Sequence, residues 1–174
     1  ARNLAIKQAR GKYISFLDVD DMWEKEKIES QISFLKKNRE FTIVYSNYYV
    51  LKEKMKKKYI KFKKELKSGF ITQDLLNEYS IGILTVFFDS KIIKKDFFDK
   101  RYNIIGDFDC FLKLSLKYKI AYLNKPLASY RIHDKNYSMK NLNEYVDELK
   151  IWMKNNARFF SNFSFLNLNI YLIK

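Results

Sequence analysis

Tyr13-Ile14-Ser15-Phe16-Leu17-Asp18-Val19-Asp20-Asp21-Met22-Trp23 is an apolar run that ends abruptly in three carboxylates. The five residues after Lys12 barely alternate between apolar and polar, which reads as a buried strand entered from Gly11. Asp18, Asp20 and Asp21 then fall at its carboxyl end. In open α/β sheets ligands bind at that edge, because the chain leaves the packed layer there and its side chains face a crevice. Acids crowded at one point repel each other unless a cation or hydrogen-bond donors compensate. A hard divalent ion with oxygen ligands, Mg²⁺ or Mn²⁺, suits them and commonly carries substrate phosphates as well. Taken alone, Asp18 and Asp20 read equally as turn residues and Asp21 as a helix cap.

Working outward, the stretch after Asp21 is Met22-Trp23 followed by a helical pattern from Lys25 to Asn38, with Ile28, Ile32 and Leu35 on one face and Gln31 and Phe34 beside it. The strand, the acids, the Trp and this helix together resemble the metal-binding segment of family 2 glycosyltransferases of the GT-A fold. A haloacid-dehalogenase-like phosphatase also opens on a strand and D-x-D, but has Thr or Val where this chain has Met22. The resemblance continues in Ala1-Arg2-Asn3, then a helix with Leu4, Ile6 and Ala9 on its apolar side and Gly11 as its terminator. It recurs in Gly106-Asp107-Phe108-Asp109, similar to the family's acidic pair before a helix, although Gly106 stands where the family usually has Glu. Tyr130-Arg131-Ile132-His133 followed by Ser138 resembles the family's Y-R-x-H segment.

The resemblance implies an α/β fold: a GT-A mixed sheet flanked by helices over residues 1–138, then a C-terminal helix and apolar tail over 139–174. It implies that the chain lacks the first nucleotide-binding strands; the missing initiator Met likewise reads as a start in the middle of something. It implies transfer of a sugar from a nucleotide-diphosphate donor, a UDP-sugar above all, to a glycan or lipid-linked acceptor by inverting displacement. Asp18, Asp20 and His133 are the expected metal ligands for Mn²⁺ or Mg²⁺. Arg2, Asn3, Asp18, Asp21 and Arg131 are expected at the donor. Asp107 is the expected catalytic base, and Gly82, Thr85 and Asp109 are expected at the acceptor. Read from the residues alone, Asp107 equally caps its helix, and a lone His is more often structural than a ligand.

Composition bounds the alternatives. With 174 residues, 47% hydrophobic and 17% aromatic, the chain supports one domain with a real core and excludes extensive disorder. The single cysteine, Cys110, excludes an internal disulfide, fits a reducing, cytoplasmic compartment and reads as a packed thiol. These residues read as carrying no signal peptide, and they hold no apolar run long enough to span a bilayer. The net charge is +14, and from Lys52 to Lys67 nine lysines face two glutamates, half of the excess. That stretch reads as a solvated hairpin or loop, or as a seat for an anionic membrane surface that would place the protein at the inner face of the membrane. Tyr59 and Phe62 lie among the lysines, but no nucleic-acid motif accompanies them, so nucleic acid is an unlikely partner on this reading. An incomplete domain that only binds acidic lipid or glycan stays open as the other reading.

Further along, a strand is expected at Thr42–Ser46, extended or paired through Tyr48–Leu51, and Ile81–Phe88 reads as another buried segment. Thr72 is expected to cap a helix to Tyr79, and Ser90 one to Lys95. Ile120–Leu123 and Leu127–Ile132 read as two strands about a turn at Asn124-Lys125-Pro126. A helix over 141–158 presents Leu142, Tyr145, Val146, Leu149, Trp152 and Met153.

Overall fold

The computed structural model describes residues 1–93, 97–134 and 136–164, so the expected helix end at Lys95 and the tail beyond Ser164 lie outside the described residues. Its strands are β1 (Tyr13–Ser15), β2 (Met22–Trp23), β3 (Ile43–Lys52), β4 (Lys57–Ile60), β5 (Phe87–Asp89) and β6 (Ile120–Ile132). They form one mixed sheet in the order β1-β5-β3-β6-β2, with β4 paired to the far half of β3. β3 and β6 run parallel from Ile43↔Ile120 to Lys52↔Ile132, and the other pairings are antiparallel. Ile43 through Asn47 are buried without alternation, as a strand covered on both faces requires.

β6 runs through Asn124-Lys125-Pro126 rather than turning there. The pairing slips opposite Ser46 and Asn47, and the irregularity accommodates Pro126, which has no N–H for the ladder. β1 takes an edge of the described sheet and is only half-buried at all three residues, not the fully buried strand that its composition suggests.

The helices are α1 (Arg2–Gln8), α2 (Lys27–Lys37), α3 (Thr72–Asn77), α4 (Gly106–Ser115), α5 (Tyr137–Lys140) and α6 (Leu142–Asn156). In α1 only Ile6 is buried, and the helix ends at an extended Ala9 before it reaches Gly11. Thr72 is the first residue of α3 rather than its cap, and its hydroxyl accepts from Ser115 Oγ at 2.9 Å. Asp89, not Ser90, caps the 3₁₀ turn that follows β5, accepting from the Lys91 N–H at 3.0 Å. The core gathers Phe88, Phe111, Leu112, Ile120 and Trp152, all fully buried, each contributing roughly 1.5–3 kcal/mol. α6 joins this core through Leu149 and Trp152, and the Trp152 ring meets Phe108 edge-on at 4.9 Å.

α2 departs most from its expected face. Ile28 is exposed and Ile32 only half-buried, while Lys27, Gln31 and Leu35 point inward.

Candidate active site

The loop between β1 and β2 holds Asp18, Asp20 and Asp21, the first turn of α4 holds Asp107, and the end of β6 leads into α5. These segments line one cavity of about 550 Å³, which takes in all four carboxylates together with Arg2 and Tyr130. Four acids around one arginine make this a strongly negative hollow, suited to a cation and not to a bare anion.

Each acid has a distinct environment. Asp18 is half exposed and accepts from Arg2 Nη2 at 3.3 Å. Asp20 Oδ2 lies 3.0 Å from His133 Nε2, and Asn136 Nδ2 also reaches it, at 3.5 Å. Asn136 accepts the His133 N–H at 2.6 Å and donates to the Arg131 carbonyl at 3.2 Å, so it shapes the turn that aims the imidazole at Asp20. Asp21 is the most buried and accepts the Arg131 N–H at 2.9 Å. Burial raises its pKa to about 6 against that bond, and Asp20 and Asp18 push the same way as burial. Asp107 is also raised to about 6 by burial, opposed by Arg2 and by the Phe108 N–H. It borders a second, smaller hollow of about 190 Å³ walled by Tyr79, Phe108, Tyr145 and Leu149. Asp107 is the second residue of α4 rather than its N-cap, which is Ile105, and its carboxylate also meets its own N–H in the first turn.

The other expected site residues fall elsewhere. Strand alternation turns Tyr130 into the cavity and sends Arg131 outward, where its guanidinium pairs with Glu53 at 3.2 Å. Asn3 lies beyond the cavity wall: its amide donates to the Phe98 carbonyl at 2.7 Å and accepts the Phe98 N–H at 2.9 Å, clamping α1 to that loop. Gly82 faces protein, since an added Cβ would lie 3.1 Å from Leu84 Cδ2 and 3.5 Å from Tyr48 Cε1. Thr85 is fully buried and donates to the Gly82 carbonyl at 2.6 Å. Asp109, 2% exposed, is held by Lys113 at 2.6 Å and by Trp152 Nε1 at 2.8 Å. Neither Thr85 nor Asp109 lines the acid cavity; Asp109 instead borders a separate hollow of about 450 Å³ with Phe97 and Lys113.

Among the described residues, no three His, Cys, Asp or Glu side chains form a ready-made metal centre. The donor set nonetheless fits a hard divalent ion that draws part of its shell from substrate phosphate: Asp20 and His133 stand together and Asp18 lines the same cavity.

Lys27 is the residue that sequence reasoning missed. It is fully buried, donates to Gln31 Oε1 at 2.7 Å and Ser15 Oγ at 2.9 Å, and sits 4.6 Å from the Trp23 ring centroid. Gln31 donates on to the Thr85 carbonyl and Trp23 to the Leu84 carbonyl, while Ser15 hydrogen-bonds the Val86 carbonyl. One polar cluster thus ties α2 and β1 to the segment whose Ile83 lines the cavity. The four-residue spacing of Lys27 and Gln31, one face of α2, was the available signal. Desolvation lowers the Lys27 pKa to about 7 from an ordinary 10.5. Between those values the unfolded chain holds a proton that the folded chain has lost, so stability rises with pH across that window. Denaturant titrations at pH 7 and pH 9 should differ by about 2 kcal/mol from this group, and Lys27→Met should remove the difference.

The family model of glycosyl transferase family 2 matches residues 1–102. The chain belongs to glycosyl transferase family 2. Members of this family are typically dependent on a divalent metal. The match ends before Asp107, so it covers the acid loop but not the expected base. An uncharacterized glycosyltransferase of Rickettsia conorii is 33% identical over 99% of this chain and 28% of its own length. The UDP-Glc:alpha-D-GlcNAc-diphosphoundecaprenol beta-1,3-glucosyltransferase WfaP of Escherichia coli is 51% identical over 30% of this chain and 21% of its own. The crystal structure of S. aureus TarS superposes with a TM-score of 0.59 at 14% identity, over 90% of this chain and 26% of that one, a likeness of fold. The chain thus spans about a quarter of the length of each of these three. The mixed sheet with flanking helices is the GT-A architecture that the sequence led one to expect.

Proposed function

We propose that this chain contributes the catalytic face of an enzyme that moves a sugar from a nucleotide-diphosphate donor, such as a UDP-sugar, to a lipid-linked or glycan acceptor in surface polysaccharide synthesis. The observation that carries this reading is the single cavity shared by the acid loop and the distant Asp107. Asp18, Asp20 and His133 would hold Mn²⁺ or Mg²⁺. When bound, that ion would supply charge stabilisation for the departing diphosphate. Asp107 takes the proton of the acceptor hydroxyl as its oxygen attacks the anomeric carbon from the face opposite the leaving group, which inverts that centre. The hollow walled by Tyr79 and Tyr145 suits the apolar face of an incoming sugar ring. Calorimetry of the complete protein with UDP should give binding that depends on Mn²⁺ or Mg²⁺, and radiolabelled UDP-sugars should yield product on a diphosphate-linked lipid acceptor. Neither binding nor transfer with any nucleotide sugar would retire the proposal.

The basic stretch supports a membrane-facing role. Residues 52–60 form the tip and second strand of the β3–β4 hairpin, where Met55 and Ile60 are exposed among the lysines. Lys56, Lys57 and Lys63 make no ion pair among the described residues. No helix among the described residues is long and apolar enough to cross a membrane. Replacing these three lysines by Ala should weaken sedimentation with phosphatidylglycerol vesicles by ~100-fold, at about 1 kcal/mol per lysine, and leave phosphatidylcholine vesicles unaffected. Equal binding to both vesicle types would remove this surface from the reading.

A further inference from the structure

We infer that Glu148, on the C-terminal helix α6, is the positioning residue that sets Asp107 for proton transfer, an inference that rests on the role proposed for Asp107 above. α4 begins with no side-chain cap of its own, since Ile105 at its N-cap has no acceptor to offer. The N–H groups at a helix start need acceptors from elsewhere. Within the helix the Asp107 carboxylate meets those of Asp107 and Phe108, while Glu148, more than forty residues away, accepts from the three amides of the segment that leads into it. Its Oε1 accepts the Asn103 N–H at 2.6 Å, and its Oε2 accepts the Ile104 and Ile105 N–H groups at 3.0 Å each. The side chain belongs to a residue 6% exposed, so these bonds are shielded from water.

Three consecutive amides on one carboxylate fix three peptide units, and each bond is charge-assisted. Asp107 is two residues beyond the last of them. Gly106 adds no side-chain anchor of its own, and nothing lies within 4 Å of where its Cβ would sit. Further struts come from the same helix: Trp152 donates to Asp109, and Glu144 accepts from Asn103 Nδ2 at 3.0 Å. Tyr145 and Leu149 of α6 also wall the hollow beside Asp107. Glu148 does not line the acid cavity, so it acts through the α4 turn rather than on substrate.

Glu148→Gln keeps the shape but sets an amide N–H₂ against the backbone donors. Assayed well below its melting temperature, the complete protein carrying it should lose about 10- to 100-fold in kcat, the cost of a misplaced base, with Mn²⁺-dependent UDP binding within twofold of wild type. In an Asp107→Asn background the same change should cost less than a further twofold, because it has no base left to position. A kcat that merely tracks the folded fraction, or a full additional loss in the Asp107→Asn background, overturns the inference. Should Glu148→Gln fail to fold, hydrogen exchange on the wild type decides. The amides of Asn103, Ile104 and Ile105 should be strongly protected, and exchange at the rate of a solvated loop overturns the cap. Absence of transfer by the wild type sinks the proposed function itself, whereas a folded Glu148→Gln protein with wild-type kcat sinks only this inference.

Discussion

Asp107→Asn should lower sugar transfer by ~10²- to 10⁴-fold, the range that a well-placed general base contributes. The asparagine keeps the shape of the side chain beside Arg2 and in the first turn of α4 but cannot accept the acceptor's proton. Mn²⁺-dependent UDP binding should survive, because Asp18 and Asp20 stand on a separate loop. The wild-type pH profile offers an independent check. Burial holds the Asp107 carboxyl at about 6, so kcat/KM should climb about tenfold per pH unit below that value, as the carboxyl loses its proton, and level off above it. A variant that still transfers at wild-type rate, or a profile flat from pH 5 to 8, would remove Asp107 from the chemistry.

Asp20→Asn should be nearly as damaging, for a different reason. Its carboxylate is the one that meets His133, and their 3.0 Å approach is the place where two donors of unlike chemistry converge. Removing its charge should weaken divalent-dependent UDP binding by about 100-fold or more, at least the cost of losing a ligand's supporting partner. Transfer should fall with it and recover partly at millimolar Mn²⁺. Calorimetry separates this variant from Asp107→Asn, since one loses binding and the other loses turnover. Unchanged UDP affinity in Asp20→Asn would place the cation elsewhere.

The features that carried the reading were those written in adjacent residues. Asp18, Asp20 and Asp21 follow an apolar strand directly, and Asp107 opens a helix with an unmistakable apolar face, so both could be placed at element ends before any coordinates. Their meeting in one cavity depended on β3 and β6 pairing in parallel, which no local pattern encodes. Hydropathy misled at α2 because it ranks Lys27 and Gln31 as solvent-facing. A buried lysine is tolerated only where donors, acceptors and an aromatic face surround it, and those partners come from Ser15, Trp23 and the protein's own helix. The resemblance put Thr85 and Asp109 at the acceptor, yet neither lines the acid cavity, and bonds to Gly82, Lys113 and Trp152 hold them. Glu148 left no trace, since a charged residue in an amphipathic helix looks the same whether it faces water or a distant helix end.

Arg131 joins two places that the chain keeps far apart in sequence. Its guanidinium grips Glu53 at the root of the lysine-rich hairpin turn, and its peptide N–H holds the carboxylate of Asp21. On the membrane-facing role proposed above, one residue thus links the docking hairpin to the deepest acid of the cleft, and Arg131→Met would sever that link while leaving the peptide N–H on Asp21.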